Sequence, residues 1–185
     1  VDISTGAFHV MPLPPVRLGP ELARLGPSEI LIPDDQERDY AETVSDFGIS
    51  LTPLSRGSFD STGAAERLCR LFKVSSLDAF GTFTRAEISV MGAIVDYLDI
   101  TQKGKLPLLR KPQREATERT VQIDAATRRN LELTHSLAGG RAGSLLHAID
   151  RTVTPGGARL LERRLSSPSR SLDTVNARLA AVDYM

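Results

Sequence analysis

The stretch Ile123–Leu133, IDAATRRNLEL, decides how the second half of this chain folds. It places one acid, two adjacent arginines and an asparagine between apolar ends. Asp124 is a residue type that caps helices, so we predict a short helical turn beginning at Ala125. At least one of Arg128 and Arg129 is expected to pair with an acid or with carbonyl groups nearby. The residues expected to anchor the turn in a core are Ile123, Leu131 and Leu133.

The chain around this stretch is patterned for further helices. Ser144 is predicted to cap one helix, and Thr154 a second, with Pro155 at its first position. Ser171 is predicted to begin a last helix, which carries apolar residues at helical spacing up to Val182. The leucines of the Thr154 helix expected to face a core are Leu160, Leu161 and Leu165.

Residues 1–54 mix short apolar runs with turn residues, and from Asp60 the spacing becomes helical. VDISTGAFHVMPL predicts a strand, a turn at Thr5-Gly6 and a returning strand. Residues 28–33 and 48–53 predict two more strands, and residues 21–25 a short helix that ends at a Gly-Pro pair. Two longer helices are then predicted, one capped by Asp60 or Ser61 and one from Arg85 to about Thr101, with Thr84 and Glu87 forming a capping box.

These patterns predict an α/β part followed by an all-α part. Residues 103–120 show little periodicity after Leu109, which is typical of a linker. The predicted domains are residues 1–105, a linker at 106–120, and a helical domain from 121 to 185.

Composition narrows the classes of protein that fit. The chain has 185 residues, enough for one or two domains, and a single cysteine, which fits a reducing compartment such as the cytoplasm. Apolar runs are all shorter than the roughly 20 residues that a membrane helix needs.

The net charge of zero divides into −7 for residues 1–100, with 8 Lys+Arg and 15 Asp+Glu, and +7 for residues 101–185, with 15 and 8. A basic half of this kind faces solvent, a neighbouring acidic surface or nucleic acid.

Asp2, on a first strand beside a Ser-Thr-Gly turn, is the most plausible catalytic residue. Such an acid is similar to the first acid of ribonuclease H-type nucleases and to the acid of actin-like ATPases. A two-metal nuclease needs several converging carboxylates, for which Glu29, Asp34 and Asp99 are the candidates. The spacing of these residues does not bring them together, and a simple strand-and-turn role is the alternative.

Two basic or glycine-rich segments could bind anions. Residues 139–144, GGRAGS, precede a helix, but a P-loop would need a lysine that is absent here, so a turn ending in the Ser144 cap is the simpler interpretation. The candidates for contact with an anion or a partner are Arg151, Arg159, Arg163 and Arg164. The three histidines lie too far apart for a local metal motif, and the residues predict no catalytic, cofactor-binding or metal site.

Several motifs together resemble the DNA mismatch-repair MutS family. They are IDAATRRNLEL at 123–133, LAGGRAGSLLHAIDRTVTPGGARLLERRLSSP at 137–168, TQKGKLPLLR at 101–110, VDISTGAF at the start and GPSEILIP at 26–33. The resemblance covers essentially the whole chain. It implies that residues 1–105 are most of a connector domain with a ribonuclease H-like fold, lacking its first strand. Residues from 121 would begin the helical lever domain.

The resemblance also implies a function. Family members bind mismatched DNA as dimers, switch conformation with ATP and magnesium, and recruit MutL. The connector and lever carry conformational change between the DNA-binding and ATPase parts, whose motifs have no match in this chain. Asp124, Arg128, Arg129 and Asn130 then become candidates for structural or interdomain contacts. The alternatives are an enzyme fragment that uses Asp2 and a basic helical DNA-binding module.

Overall fold

The structure, a computed structural model, describes residues 1–115 and 120–184 and divides into two compact units. Unit 1 comprises Val1–Leu13 and Pro27–Glu115. Unit 2 combines Pro14–Gly26 with the described residues from 120 onward. Unit 1 is mixed α/β and unit 2 is helical, so the predicted order of α/β followed by α is confirmed at this level.

Unit 1 contains two parallel two-stranded sheets. β2 (Glu29–Pro33) pairs with β3 (Ser50–Leu54) in a register that places Glu29 opposite Ser50, and α2 (Glu37–Ser45) connects the two strands. A helical crossover is what a parallel pair requires. Both predicted strands in this region are therefore confirmed.

The predicted strand–turn–strand at the N-terminus is only partly formed. Asp2 and Ala7 make an isolated antiparallel bridge, but β1 (His9–Val10) pairs in parallel with β4 (Gln113–Arg114). Gly6 has φ +71°, and a Cβ at this position would lie 2.2 Å from the carbonyl oxygen of Leu108. The close approach of the two segments therefore requires glycine at position 6.

Part of the segment that we predicted to be a linker is packed into unit 1. β4 lies within it, Leu109 is buried, and Arg114 forms an ion pair with the buried carboxylate of Glu87. Burial raises the pKa of Glu87, but the hydrogen bonds from Arg114 and Thr84 outweigh it, so the pKa lies below its usual range. The segment lacks periodicity because two residues of strand are too short to show one.

The core of unit 1 lies between α3 (Ser61–Phe72) and α4 (Arg85–Thr101). Asp60 caps α3, and Thr84 with Glu87 forms the predicted capping box of α4. A Cβ on Gly92 would lie 2.2 Å from the Cβ of Ala64, so the two helices approach closely at this point. The buried side chains of the core are Phe8, Val10, Leu68, Leu77, Met91, Val95, Leu98 and Leu109.

Unit 2 consists of five helices among the described residues: α1 (Leu18–Leu25), α5 (Ala125–Asn130), α6 (Leu145–Ile149), α7 (Pro155–Ser166) and α8 (Leu172–Asp183). Ser144, Thr154 and Ser171 cap the last three, as predicted. α1 ends at Gly26, whose φ of +50° is the left-handed conformation typical of a helix stop.

The spacing of apolar residues in unit 2 predicted more buried leucines than the structure contains. Leu160 was expected to face a core but is 37% exposed, and Leu131 was expected to anchor its turn but is 57% exposed. Leu133 is buried as expected, and Leu146 is buried too. An apolar stripe shows which side of a helix is apolar, but it does not show whether another element packs against that side. In the part of the chain that the structure describes, no helix is long and apolar enough to cross a membrane.

Candidate functional site

The segment Ile123–Leu133 folds as a capped turn of helix. The Asp124 carboxylate accepts hydrogen bonds from the backbone N–H of Thr127, at 2.8 Å, and from its hydroxyl, also at 2.8 Å. These bonds, the backbone one first, lower the pKa of Asp124. The predicted helix cap is confirmed, and it fixes the direction in which the following arginines leave the backbone.

Arg128 points into the interior of unit 2, whereas Arg129 and Asn130 are exposed. Arg128 is 7% exposed and its Nη2 donates to the backbone carbonyl of Ser166 at 2.9 Å. That carbonyl ends α7 and has no partner within its own helix, so the guanidinium replaces the missing hydrogen bond. The expectation that one of the two arginines would pair with a carbonyl is therefore confirmed for Arg128.

A buried carboxylate compensates part of the charge around Arg128. Glu21 of α1 is 3% exposed, and its Oε2 lies 2.5 Å from Nε of Arg24. Arg24 also donates to the hydroxyl of Ser167 at 3.0 Å. We call the residues Glu21, Arg24, Arg128, Ser166 and Ser167 the arginine cluster.

Charge is not balanced inside the arginine cluster. Burial lowers the pKa of Arg128, the charge of Arg24 lowers it further, and Glu21 acts in the opposite direction. Nε and Nη1 of Arg128 are buried without a hydrogen-bond partner among the described residues. A guanidinium keeps its positive charge near neutral pH, so Arg128 acts here as a charged hydrogen-bond donor that connects α5 to the end of α7.

Sequence patterns did not reveal the partners of Arg128. Glu21 and Arg24 lie on α1, which falls within the first predicted domain, residues 1–105. Their spacing of three residues on one helix is the only local signal, and it predicts a surface ion pair rather than a buried one.

The four arginines predicted to contact an anion or a partner are all exposed. Arg159, Arg163 and Arg164 lie along α7. Arg151 lines a shallow depression that the sequence did not predict, beside Arg141 and Asp150. The Gly139–Ser144 turn supplies Arg141 and ends in the predicted Ser144 cap.

Two of the four acids proposed for metal-dependent catalysis, Asp2 and Glu29, have other partners. Asp2 Oδ1 accepts from the hydroxyl and backbone N–H of Ser4, and Oδ2 accepts from the Thr5 hydroxyl at 2.8 Å. Hydrogen bonding, from the Ser4 side chain first, lowers the pKa of Asp2 to about 2. Glu29 accepts from the hydroxyls of Tyr97 and Thr52. Within residues 1–115 and 120–184, no group of three or more His, Cys, Asp and Glu side chains is placed to hold a metal ion.

Comparison with known families defines the class of protein. The family model for MutS domain II matches residues 1–110, and the model for MutS domain III matches residues 126–185. A mixed α/β unit followed by a helical unit agrees with two consecutive domains of this kind. The chain belongs to the MutS family of DNA mismatch-repair proteins.

Curated relatives match along nearly the whole chain. The DNA mismatch repair protein MutS of Ruegeria sp. (strain TM1040) is 68% identical over 183 residues, which is 98% of this chain and 21% of the relative. The MutS proteins of Roseobacter denitrificans and Paracoccus denitrificans are 63% and 62% identical, over 99% and 100% of this chain. The chain therefore spans about a fifth of the length of these relatives.

Proposed function

We propose that this chain transmits conformational change within a mismatch-repair protein and has no active site of its own. The complete protein would bind mismatched DNA as a dimer and switch with ATP and magnesium held by its other domains. The domain II part would also dock MutL. Membership of the MutS family supports this role, and the residues of the chain add a specific route for it.

The observation that carries the proposal is the position of α1. The domain II family model includes Pro14–Gly26, yet this segment packs within unit 2 beside residues of domain III. The polypeptide leaves unit 1 at Leu13, enters unit 2 for thirteen residues, and returns to unit 1 at Pro27. A displacement of the start of domain III is thereby passed to domain II through the covalent chain at both ends of α1.

The arginine cluster makes α1 move with its neighbours. α1 supplies Glu21 and Arg24, α5 supplies Arg128, and the end of α7 supplies the acceptor groups. Separating these elements would break the bonds from Arg24 to Ser167 and from Arg128 to Ser166, and it would leave the buried guanidinium of Arg128 without its acceptor, which is unfavourable. We infer that α1, α5 and the end of α7 respond to the switch as one body.

The test uses Arg128→Met in a full-length protein that contains this segment, with Arg129→Met as the matched exposed control. Binding to mismatched DNA should persist in both variants. The rate of ATP-triggered release should fall for Arg128→Met by roughly fivefold or more, the lower range of coupling between distant sites. Thermal melting of each variant separates this effect from unfolding.

An equal ATP response in the two variants would refute the transmission role. For the docking role, a pull-down should detect MutL on a complete domain II and lose it when that domain is deleted. Failure of the complete domain to retain MutL would remove this part of the proposal without affecting the first.

The ribonuclease H-like architecture of domain II belongs to the same proposal. The parallel β2–α2–β3 arrangement supports it, because a crossover helix between parallel strands is typical of α/β folds.

An enzyme fragment using Asp2 is the competing function. Its carboxylate is already engaged by the Ser4 and Thr5 groups, and a metal titration with nucleic-acid substrate would distinguish the two.

A further inference from the structure

A basic depression on unit 2 contains residues that the transmission role does not use. Its volume is about 450 Å³, and it is open to solvent. The residues that line it are Arg141, His147, Ala148, Asp150, Arg151 and Thr152. One carboxylate therefore faces two guanidinium groups and an imidazole.

The carboxylate of Asp150 accepts hydrogen bonds that fix its orientation. Asp150 Oδ1 accepts from the backbone N–H of Thr152 at 2.9 Å and from its hydroxyl at 2.6 Å, while Oδ2 receives Nη2 of Arg141. Hydrogen bonds from Thr152 accordingly lower the pKa of Asp150. Asp150 stays ionised and holds Arg141 in one orientation, but it does not neutralise the second arginine.

Both arginines retain donors that face solvent. Nη1 of Arg151 donates to the backbone carbonyl of Asp150 at 3.0 Å, which fixes one end of the guanidinium, and the Arg141 side chain is 44% exposed. A guanidinium carries five N–H groups, and each of these two uses one of them within the described residues. Pre-positioned guanidinium groups with remaining donors are well suited to the paired oxygens of a phosphate.

The chemistry of the lining favours nucleic acid over an acidic protein. Among the described residues that line the depression, Ala148 is the only apolar one, whereas protein interfaces have an apolar core. Contacts to a nucleic-acid backbone need charge and N–H groups alone. α7, which contacts α6 and begins three residues after Thr152, adds the exposed Arg159, Arg163 and Arg164.

We propose that the Arg141–Arg151 depression binds a backbone phosphate of a nucleic acid, independently of base sequence and of mismatches. The site goes beyond the transmission role, which concerns buried residues of the arginine cluster. Loss of one leaves the other intact, so failures of the two proposals are separable.

The experiment measures fluorescence anisotropy of a labelled, fully matched DNA duplex titrated with the 185-residue chain at several salt concentrations. Arg141→Gln combined with Arg151→Gln should weaken binding at least about tenfold at low salt and reduce the slope of log K against log salt by about 0.9, the value for one phosphate contact. Arg151→Gln alone should lower the slope by about half as much. This single variant keeps the hydrogen bonds of the Asp150 carboxylate to Arg141 and Thr152, so it keeps the test valid if the double variant folds poorly.

Arg170→Gln, an exposed arginine of the same unit, is the matched control and should bind like the parent chain. Absence of duplex binding by the parent chain at low salt would overturn the proposal. An equal loss in the control would overturn it too, since binding would then reflect diffuse charge. Tighter binding of labelled polyglutamate than of DNA, lost in the double variant, would assign the depression to an acidic protein and overturn the nucleic-acid assignment.

Discussion

Gly92 lies where α3 and α4 are closest, and Gly92→Ala tests whether this contact organises unit 1. An alanine Cβ would lie 2.2 Å from the Cβ and 2.6 Å from the Cα of Ala64, which is fully buried. Carbon atoms pack at about 3.5 Å or more, so the helices would have to separate by about 1.3 Å. Overpacking of this kind costs about 1–3 kcal/mol, and the higher helix propensity of alanine returns about 1 kcal/mol. Because the contact involves backbone atoms, which cannot rotate away, we expect a cost at the upper end of this range and therefore a net loss of about 2 kcal/mol.

Urea denaturation followed by circular dichroism measures this loss, and hydrogen exchange of amides in α3 and α4 assigns it to unit 1. Gly63→Ala is the control, since its Cβ would meet only the ends of the Arg67 and Asp60 side chains at 3.4 Å. It should be neutral or stabilising by up to about 1 kcal/mol. In an Ala64→Gly background, Gly92→Ala should destabilise less but still measurably, because the Cα of residue 64 would remain 2.6 Å from the new Cβ. A Gly92→Ala variant as stable as the parent chain would refute the close packing of these helices.

Two further predictions concern the capped turns. Folding lowers the pKa of Asp2 to about 2, whereas in the unfolded chain it is about 4. The ionised carboxylate therefore stabilises the fold fully above about pH 4, and this contribution disappears as the pH falls through about 2. The stability difference between the parent chain and Asp2→Asn should therefore shrink over that interval in urea titrations, and a difference that does not change with pH would contradict the role of these hydrogen bonds. Asp124→Ala should lower the melting temperature of unit 2, because it removes both bonds to Thr127, whereas retention of MutL by domain II should not change. Loss of MutL retention without loss of stability would make the turn a binding site.

Local chemistry explains why the helices could be predicted. The side-chain oxygen of a helix cap accepts a hydrogen bond from a backbone N–H only three residues later in the chain. Helix starts can therefore be recognised from the local sequence at Thr84, Asp124 and Ser144. The Thr84–Glu87 capping box has the same property. Of the candidate site, the cap and the exposed arginines were predictable, whereas the partner of Arg128 was not.

The amino-acid sequence by itself determined the caps, the helix stops and membership of the MutS family, because each depends on residues close together in the chain or on motifs read in order. Only the tertiary structure decided that β1 pairs with β4 and that α1 packs in unit 2. It also decided that Arg128 binds the carbonyl of Ser166, 38 residues away. Arg128 belongs to a charged cluster only because it is buried. Its burial depends on which distant segments of the chain pack together, and no local sequence pattern specifies that.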